Sequence, residues 1–280
     1  MPTVFPDPPI DRSIFGWDPK DEFAGIVSDW IWNVVGPAGD EDAGASNGGR
    51  SWNNLEIEAK VGIILDNEGM RLNLPVANET IVHMHPGWRF QSNMTQEQHK
   101  SLNTTLNALV PKKMIYSRLR EHDSLHANRV RVTREHGSKE IKSGPGGIIR
   151  KERVADMNVF CPNHNLDYRI SLNWELPIQA PPQDQPQLTR DKNRLCYQNP
   201  HFQVDLTAVD SSDNPGVPSH ELELEFRDAG SLLREAHNYR SEVSPNRTSP
   251  EEWTPYEDLI LVFLNSVRMI IRAAPAANVG

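Results

Sequence analysis

Cysteine is nearly absent from this chain: Cys161 and Cys196 are the two present in 280 residues. That excludes a disulfide framework. Cys161-Pro162-Asn163-His164 has the look of half a zinc site, but no second half accompanies it, so zinc is not expected. Positive charge is also in deficit. Lysine and arginine number 29 against 38 aspartates and glutamates, a formal net charge of −9. A broad basic field of the kind that drives general nucleic-acid binding is therefore excluded, and any basic site must be local. No apolar run reaches the roughly 20 residues of a membrane span. The N-terminus lacks the basic and apolar regions of a signal peptide. A cytosolic or nuclear protein is expected, with the Asn-x-Ser/Thr triplets at Asn78, Asn93, Asn103 and Asn246 accidental. Familiar catalytic signatures are missing too. Gly144-Pro145-Gly146-Gly147 is not followed by the Lys-Ser/Thr of a phosphate loop and reads as a turn. No Ser/His/Asp arrangement or cysteine nucleophile stands out, and His83-Met84-His85 reads as a surface loop.

What remains is a chain long enough for one large domain or two small ones. Its first 19 residues are Pro-rich and expected to be extended. The pattern predicts a helix over about 20–35, with Phe23, Ile26, Val27, Trp30, Ile31 and Val34 on one side. Gly36–Gly49 reads as a loop. Thr95 and Gln98 form the signature of a capping box opening a helix to about Val110. Eight extended segments are expected, at roughly 53–65, 112–120, 127–135, 147–160, 166–176, 188–198, 202–209 and 219–227. Two helices, about 229–240 and 251–272, close the chain. The organisation expected is an extended segment 1–19, a body 20–272 and a tail 273–280.

The extended segments are where the chemistry lies. Leu55-Glu56-Ile57-Glu58-Ala59-Lys60 and His220-Glu221-Leu222-Glu223-Leu224-Glu225-Phe226 alternate charge with apolar residues. On a strand, residues two apart share a face. Glu56, Glu58 and Lys60 therefore face one way, and so do Glu221, Glu223 and Glu225. The segments between repeat the device: Arg129 with Arg131 and Thr133; Ile149 with Lys151 and Arg153; Asp167 with Arg169, Ser171, Asn173 and Glu175; Arg190 with Lys192 and Arg194; Gln203 with Asp205 and Thr207. Two architectures fit. A one-sided sheet or sandwich would turn these charges to water. A closed barrel with helices covering its outside would turn them into a lumen, and the strength of the apolar faces favours it. Crowded carboxylates are costly, since a pair ~4 Å apart repels by about 4 kcal/mol at an effective dielectric near 20. An oxygen-ligated divalent cation, magnesium or manganese, would relieve that, and arginines opposite suit a polyphosphate.

Three segments, Leu55-Glu56-Ile57-Glu58-Ala59-Lys60-Val61-Gly62, Arg169-Ile170-Ser171-Leu172-Asn173-Trp174-Glu175-Leu176-Pro177 and His220-Glu221-Leu222-Glu223-Leu224-Glu225, resemble the fungal mRNA 5′-triphosphatases. These are the β subunits of the fungal capping enzyme, within the triphosphate tunnel metalloenzymes. The paired Glu-x-Glu strands point to the wider superfamily; the Ile-Ser-Leu-Asn…Glu-Leu-Pro run and Val204-Asp205-Leu206-Thr207 narrow it to this branch. The likeness extends over about residues 12–272. It implies an α+β fold, an eight-stranded antiparallel tunnel resting on helices. It implies removal of the γ-phosphate from triphosphate-ended nascent mRNA, leaving a diphosphate end for guanylyl transfer. Carried over motif by motif, Glu56, Glu58 and Glu225 hold Mg2+ or Mn2+, with Glu221 and Glu223 supporting them. Arg131, Lys192 and Arg194 contact the γ-phosphate, and Glu175 positions the attacking water. Lys151 and Arg169 line the tunnel, while Asp205 and Thr207 tie the basic side chains in place. Arg129 has the parity of Arg131 and could exchange roles with it. Lys60 is left between a phosphate contact and a salt bridge. Where the family often has a base two before the aspartate, this chain has Gln203.

The resemblance further implies a nuclear enzyme, a homodimer and association with the guanylyltransferase or the transcription machinery, and no membrane. Ile14-Phe15-Gly16 and the apolar helix faces are candidate dimer surfaces. The Trp-rich peptide with which budding-yeast members hold the guanylyltransferase is not found in these residues, which leaves open either a different route of recruitment or a shortened chain. Two alternatives stay open: a tunnel enzyme acting on inorganic polyphosphate or free nucleotides, and a non-catalytic dimeric module that binds RNA ends.

Overall fold

The computed structural model describes residues 14, 19–37, 50–144, 146–242 and 254–276. Most of the 1–19 segment, the Gly-rich stretch from residue 38 to 49, Pro145, the Ser244-Pro245 and Ser249-Pro250 region and the last four residues lie outside them. Eight long strands carry the fold: β1 (Leu55–Leu65), β4 (Ile115–Leu125), β5 (Val130–Glu135), β6 (Ile148–Phe160), β7 (Asp167–Pro177), β8 (Leu188–Gln198), β9 (Phe202–Ser211) and β10 (Ser219–Phe226). They pair antiparallel in the order β10-β9-β8-β4-β5-β6-β7-β1, and β1 returns to β10. Glu58 opposite Glu225, Ala59 opposite Leu224 and Lys60 opposite Glu223 make that closing seam. The sheet is a closed barrel.

Closure turns the apolar faces outward. Ile57 and Ala59 of β1, Ile170 and Leu172 of β7, Leu206 of β9 and Leu222 and Leu224 of β10 are buried outside the barrel, in one core with the helices. The helices are α1 (Glu22–Val35), α2 (Gln96–Asn107), the short α3 (Val110–Lys113), α4 (Ala229–Glu242) and α5 (Pro255–Ala273). Asp21 caps α1 by accepting from Ala24 N at 3.0 Å. The expected capping box of α2 is formed in both directions between Thr95 and Gln98, at 3.0 and 3.1 Å. A second one, Thr254 with Glu257, opens α5. The phasing of α1 differs from expectation in detail. The buried stripe of α1 is Ala24, Val27, Ile31 and Val35, and Ile26 is exposed. On α5 it is Ile260, Phe263, Leu264, Val267, Ile270 and Ile271, and Val262 is exposed.

The segment expected at 112–120 forms a helical turn and then a strand running on to Leu125. The strand expected from 127 begins at Val130, because Asn128 and Arg129 adopt left-handed φ of 58° and 61°. Two short strands that sequence periodicity does not signal, β2 (Thr80–Val82) and β3 (Arg89–Gln91), pair with β6 and with the end of β1. A Cβ on Gly62 would stand 2.1 Å from the Gln91 carbonyl oxygen, so glycine is what lets the segment at β3 approach β1 this closely. With β3 in place, Phe90 and Ser92 join the lining of the lumen.

Where α2 meets β10, the rings of His99 and His220 lie 4.7 Å apart. His99 Nε2 and His220 Nδ1 are buried without hydrogen-bond partners among the described residues. Burial, reinforced by His220, lowers the His99 pKa to about 4; burial also lowers that of His220. An unfolded histidine titrates near 6.5, so the unfolded chain binds more protons between 6.5 and 4. The contact contributes stability above that window and loses it as pH falls through it. Urea midpoints measured from pH 7 to 4 should therefore drop more steeply for the native sequence than for His99→Gln. Parallel slopes would contradict this.

Candidate active site

The barrel encloses a cavity of about 660 Å3 with a segregated charge lining. β1 and β10 form an acidic wall. Glu56, Glu58 and Lys60 project inward from β1, and Glu221, Glu223 and Glu225 from β10. β5, β6 and β8 form a basic wall, with Arg131, Lys151, Arg190, Lys192 and Arg194. β7 contributes Arg169 and Glu175.

Two lysines lie among the glutamates. Lys151 Nζ is 2.5 Å from Glu56, 3.3 Å from Glu58 and 3.9 Å from Glu175. Lys60 Nζ is 3.2 Å from Glu58 and bonds closely to Glu223, so it stands in a salt bridge. Burial works against the charge of both ammoniums, but Glu223 and Glu58 around Lys60, and Glu56 and Glu58 around Lys151, outweigh it and raise both pKa values. The same balance holds Glu223 below the usual carboxylate range: burial opposes its charge, but Lys60 and Lys151 prevail. Glu58, 1% exposed, is raised by burial. Asn173 Nδ2 donates to both Glu56 (2.9 Å) and Glu58 (3.1 Å), fixing their spacing.

Glu225 differs from its neighbours. No hydrogen bond or ion pair reaches its carboxylate among the described residues. Burial, then the charges of Asp205, Glu56 and Glu223, push its pKa well above the usual value. Glu221 is also raised by burial and by Glu223. Among the described residues no three carboxylate, imidazole or thiolate groups converge as a preformed cage. The donor chemistry nevertheless fits a hard cation. Glu56, Glu58 and the uncompensated Glu225 are oxygen donors on adjacent strands, with Glu58 and Glu225 directly opposite.

On the basic wall Lys192, Arg194 and Arg131 are each paired with a carboxylate. Lys192 Nζ pairs with Asp123 at 2.6 Å, and Asp123 also accepts from the Thr133 hydroxyl at 2.7 Å. Burial lowers the Lys192 pKa, with Asp123 opposing. Arg194 pairs with Asp205 at 3.0 Å and with Glu121 at 3.6 Å. Arg131 pairs with Glu175 at 3.3 Å. The Nε atoms of Arg131, Arg190 and Arg194 are buried with no acceptor among the described residues. Such donors are costly to leave unsatisfied.

Other expected residues are placed as follows. Arg169 hydrogen-bonds Asn158 at 2.8 Å and lies over the Phe90 ring at 4.7 Å, inside the lumen. Asp205 ties down Arg194; Gln203 donates to Asp205 at 2.9 Å. Thr207 is buried opposite Arg194 in the strand register, but its hydroxyl makes no hydrogen bond to a basic side chain among the described residues. Arg129 reaches the cavity from the turn before β5, so its parity with Arg131 has no meaning; Arg131 is the one on the strand. Glu121 and Asp123 escape notice in the sequence. They alternate inward with Leu119 and Leu125, but the outward residues between them, Arg120, His122 and Ser124, are polar because this part of β4 is not covered by helices.

A family model described as mRNA capping enzyme, beta chain, matches residues 17–276. The chain belongs to this family. It is 29% identical over 288 residues to the mRNA-capping enzyme subunit beta of Cryptococcus neoformans, covering 94% of this chain but 64% of that protein. It is 30% identical over 238 residues to the Schizosaccharomyces pombe subunit beta, covering 78% of this chain and 74% of that one. The chain thus spans less than two thirds of the first of these relatives. The solved structure of the S. pombe Pct1 RNA triphosphatase matches with a TM-score of 0.78 at 26% identity, over 96% of this chain and 99% of that one. The same protein in complex with the Spt5 CTD matches with a TM-score of 0.79 at 26% identity, over 97% and 100%. The closed eight-stranded barrel is therefore that of the triphosphate tunnel.

Proposed function

We propose that this chain is an RNA 5′-triphosphatase that removes the γ-phosphate from triphosphate-ended nascent mRNA, the first step of cap formation. One observation carries the reading: a wall of carboxylates and a wall of arginines and lysines line one cavity inside a closed barrel. Membership of the capping-enzyme beta family and the names of the relatives support it. Glu56, Glu58 and Glu225 would hold a divalent cation, magnesium or manganese. Bound there, the cation would neutralise charge on the triphosphate oxygens. Arg131, Lys192 and Arg194 would grip the transferred phosphoryl group, stabilising the charge spread over its oxygens. Glu175 would orient the attacking water, with Arg131 holding its carboxylate at 3.3 Å. The chain would work in the nucleus as a homodimer, recruited to the guanylyltransferase or to the transcription machinery; the structure of the S. pombe relative in complex with the Spt5 CTD supports recruitment through a partner protein.

The test is phosphate release from triphosphate-ended RNA with the metal varied. Release requiring Mg2+ or Mn2+ is expected, and Glu175→Gln should slow turnover by about 10²-fold or more, in the range of general-base contributions. Tight RNA binding with no release in either metal would instead make the chain a binding module. Release from tripolyphosphate alone would make it a polyphosphatase.

A further inference from the structure

The tunnel adjoins a second cavity of about 550 Å3, and the two share Arg129, Lys151 and Arg153. Asn173, which bonds Glu56 and Glu58, also lines this outer space. Two local departures from regular strand geometry bring arginines to the shared mouth. Arg129 follows Asn128 in a turn where both are left-handed, at φ 61° and 58°. That conformation costs a residue with a side chain roughly 1–2 kcal/mol, and such strain concentrates at functional positions. Arg153 stands at the bulge where the β6–β7 register slips between Arg153 and Ala155. Bulges at barrel rims re-aim side chains. Arg129 is exposed and makes no ion pair or side-chain hydrogen bond among the described residues. The Arg153 side chain is 52% exposed and reaches Asp156 at 3.1 Å, a carboxylate already engaged by Arg169 and Ser171. In a chain of net charge −9 this basic mouth is not part of a general surface field.

We infer that this vestibule takes the sugar–phosphate backbone that follows a 5′-triphosphate, with Arg129 and Arg153 as the residues that distinguish an RNA end from tripolyphosphate. The inference rests on the triphosphatase function proposed for the tunnel. A polynucleotide whose triphosphate lies in the lumen carries phosphodiesters past Lys151 and out between the two arginines. Tripolyphosphate has none and gains nothing there. Each single-strand phosphate neutralised by a basic side chain adds about 0.7 to the slope of log affinity against log salt.

The experiment compares kcat/KM on a triphosphate-ended oligoribonucleotide and on tripolyphosphate, over a range of salt. The proteins are the native sequence, Arg153→Gln, Arg153→Lys and the double variant Arg129→Gln/Arg153→Gln. The RNA-to-tripolyphosphate ratio should fall roughly threefold for Arg153→Gln and about tenfold for the double variant, mainly through KM. The salt slope on RNA should fall by about 0.7 per charge removed. Arg153→Lys should recover most of the ratio, and urea midpoints separate these effects from misfolding. Equal losses on both substrates would overturn the inference, because Arg153 would then support the tunnel rather than read the polynucleotide. An unchanged ratio and slope would overturn it as well. If the native sequence itself releases no phosphate from RNA in Mg2+ or Mn2+, the triphosphatase reading fails and takes the inference with it. An active native enzyme with an unchanged ratio sinks the inference alone.

Discussion

Glu225→Gln is expected to abolish turnover while making the metal-free protein more stable. Glu225 stands opposite Glu58 at the seam that closes the barrel, and no cation, donor or ion pair reaches its carboxylate among the described residues. Burial and three neighbouring carboxylates raise its pKa well above the usual value. A carboxyl raised in this way keeps its proton to a higher pH when folded than when unfolded. The stability it contributes is present at low pH and is lost as pH rises from the unfolded value of about 4.3 toward the folded one. Near neutral pH the group is a liability of about 1–2 kcal/mol, the order expected for a partly buried carboxylate left without a donor. Removing the charge should raise the metal-free melting temperature by a few degrees, as that energy implies for a chain of this size. The gain should be larger at pH 8 than at pH 5. Turnover should fall by at least ~10²-fold, as expected for loss of a charge that holds the metal or the transition state. Glu56→Ala should lose turnover to the same extent. It should not share the stability gain, because Glu56 is already paired with Lys151 at 2.5 Å. Calorimetry on metal-free protein beside a phosphate-release assay checks both halves. Full activity in Glu225→Gln would remove it from the metal site, and an unchanged melting temperature would show that its charge is compensated.

The opposite result is expected at Asp167. It belongs to the same face of β7 as Arg169 and Glu175, yet it is fully buried at the other end of the strand. Its carboxylate accepts from Ile64 N at 2.9 Å and Cys161 N at 3.0 Å, and from Arg71 at 2.6 Å and 3.2 Å. Arg71 in turn donates to the carbonyl oxygens of His164 (2.6 Å) and Cys161 (3.0 Å). This one side chain joins β1, the β6–β7 turn and the segment that precedes β2. Asp167→Ala leaves the Ile64 and Cys161 backbone N–H groups without this acceptor and removes the carboxylate from beside the half-buried Arg71 guanidinium. Breaking a buried pair by removing one partner costs about 3–5 kcal/mol, which lowers the melting temperature by roughly 10 °C. Asp167→Asn keeps part of the acceptor capacity and should fall between. Assayed well below their melting points, both variants should keep turnover within a few-fold of the native rate, since Asp167 touches none of the groups proposed to hold phosphate. Turnover lost as completely as in Glu225→Gln, with stability unchanged, would reverse that reading and place Asp167 in the chemistry.

The strands most legible in the sequence are those with helices behind them. β1, β7, β9 and β10 carry apolar residues on their outer faces, and their alternation is unmistakable. From it came the inward set Glu56, Glu58, Lys60, Arg169, Glu175 and Glu221 to Glu225. The strands least legible lie on the side open to water. β4 is exposed from Ile115 to Arg120, so nothing in its polarity marks where it ends, and Glu121 and Asp123 go unnoticed. The start of β5 is misplaced for another reason. Asn128 and Arg129 take a left-handed turn that the flanking alternation conceals. β2 and β3, three residues each, are too short to show a period.

The sequence by itself determined the family, the count of long strands and which residues share a face, because side chains alternate with a period of two whatever the strand is paired with. It could not determine which way that face points, since charge turned to water and charge turned to a lumen have the same pattern. Closure of β1 on β10 decided that. Nor could it separate lumen-facing residues that hold the barrel together from those left uncommitted. Asp167, Asp123 and Asp205 are paired with Arg71, Lys192 and Arg194, while burial and the charges of Asp205, Glu56 and Glu223 outweigh that of Arg194 at Glu225. These partners come from strands and loops far apart along the chain. A carboxylate's charge, cost and role depend on what stands within a few ångströms of it, and only the tertiary structure sets that distance.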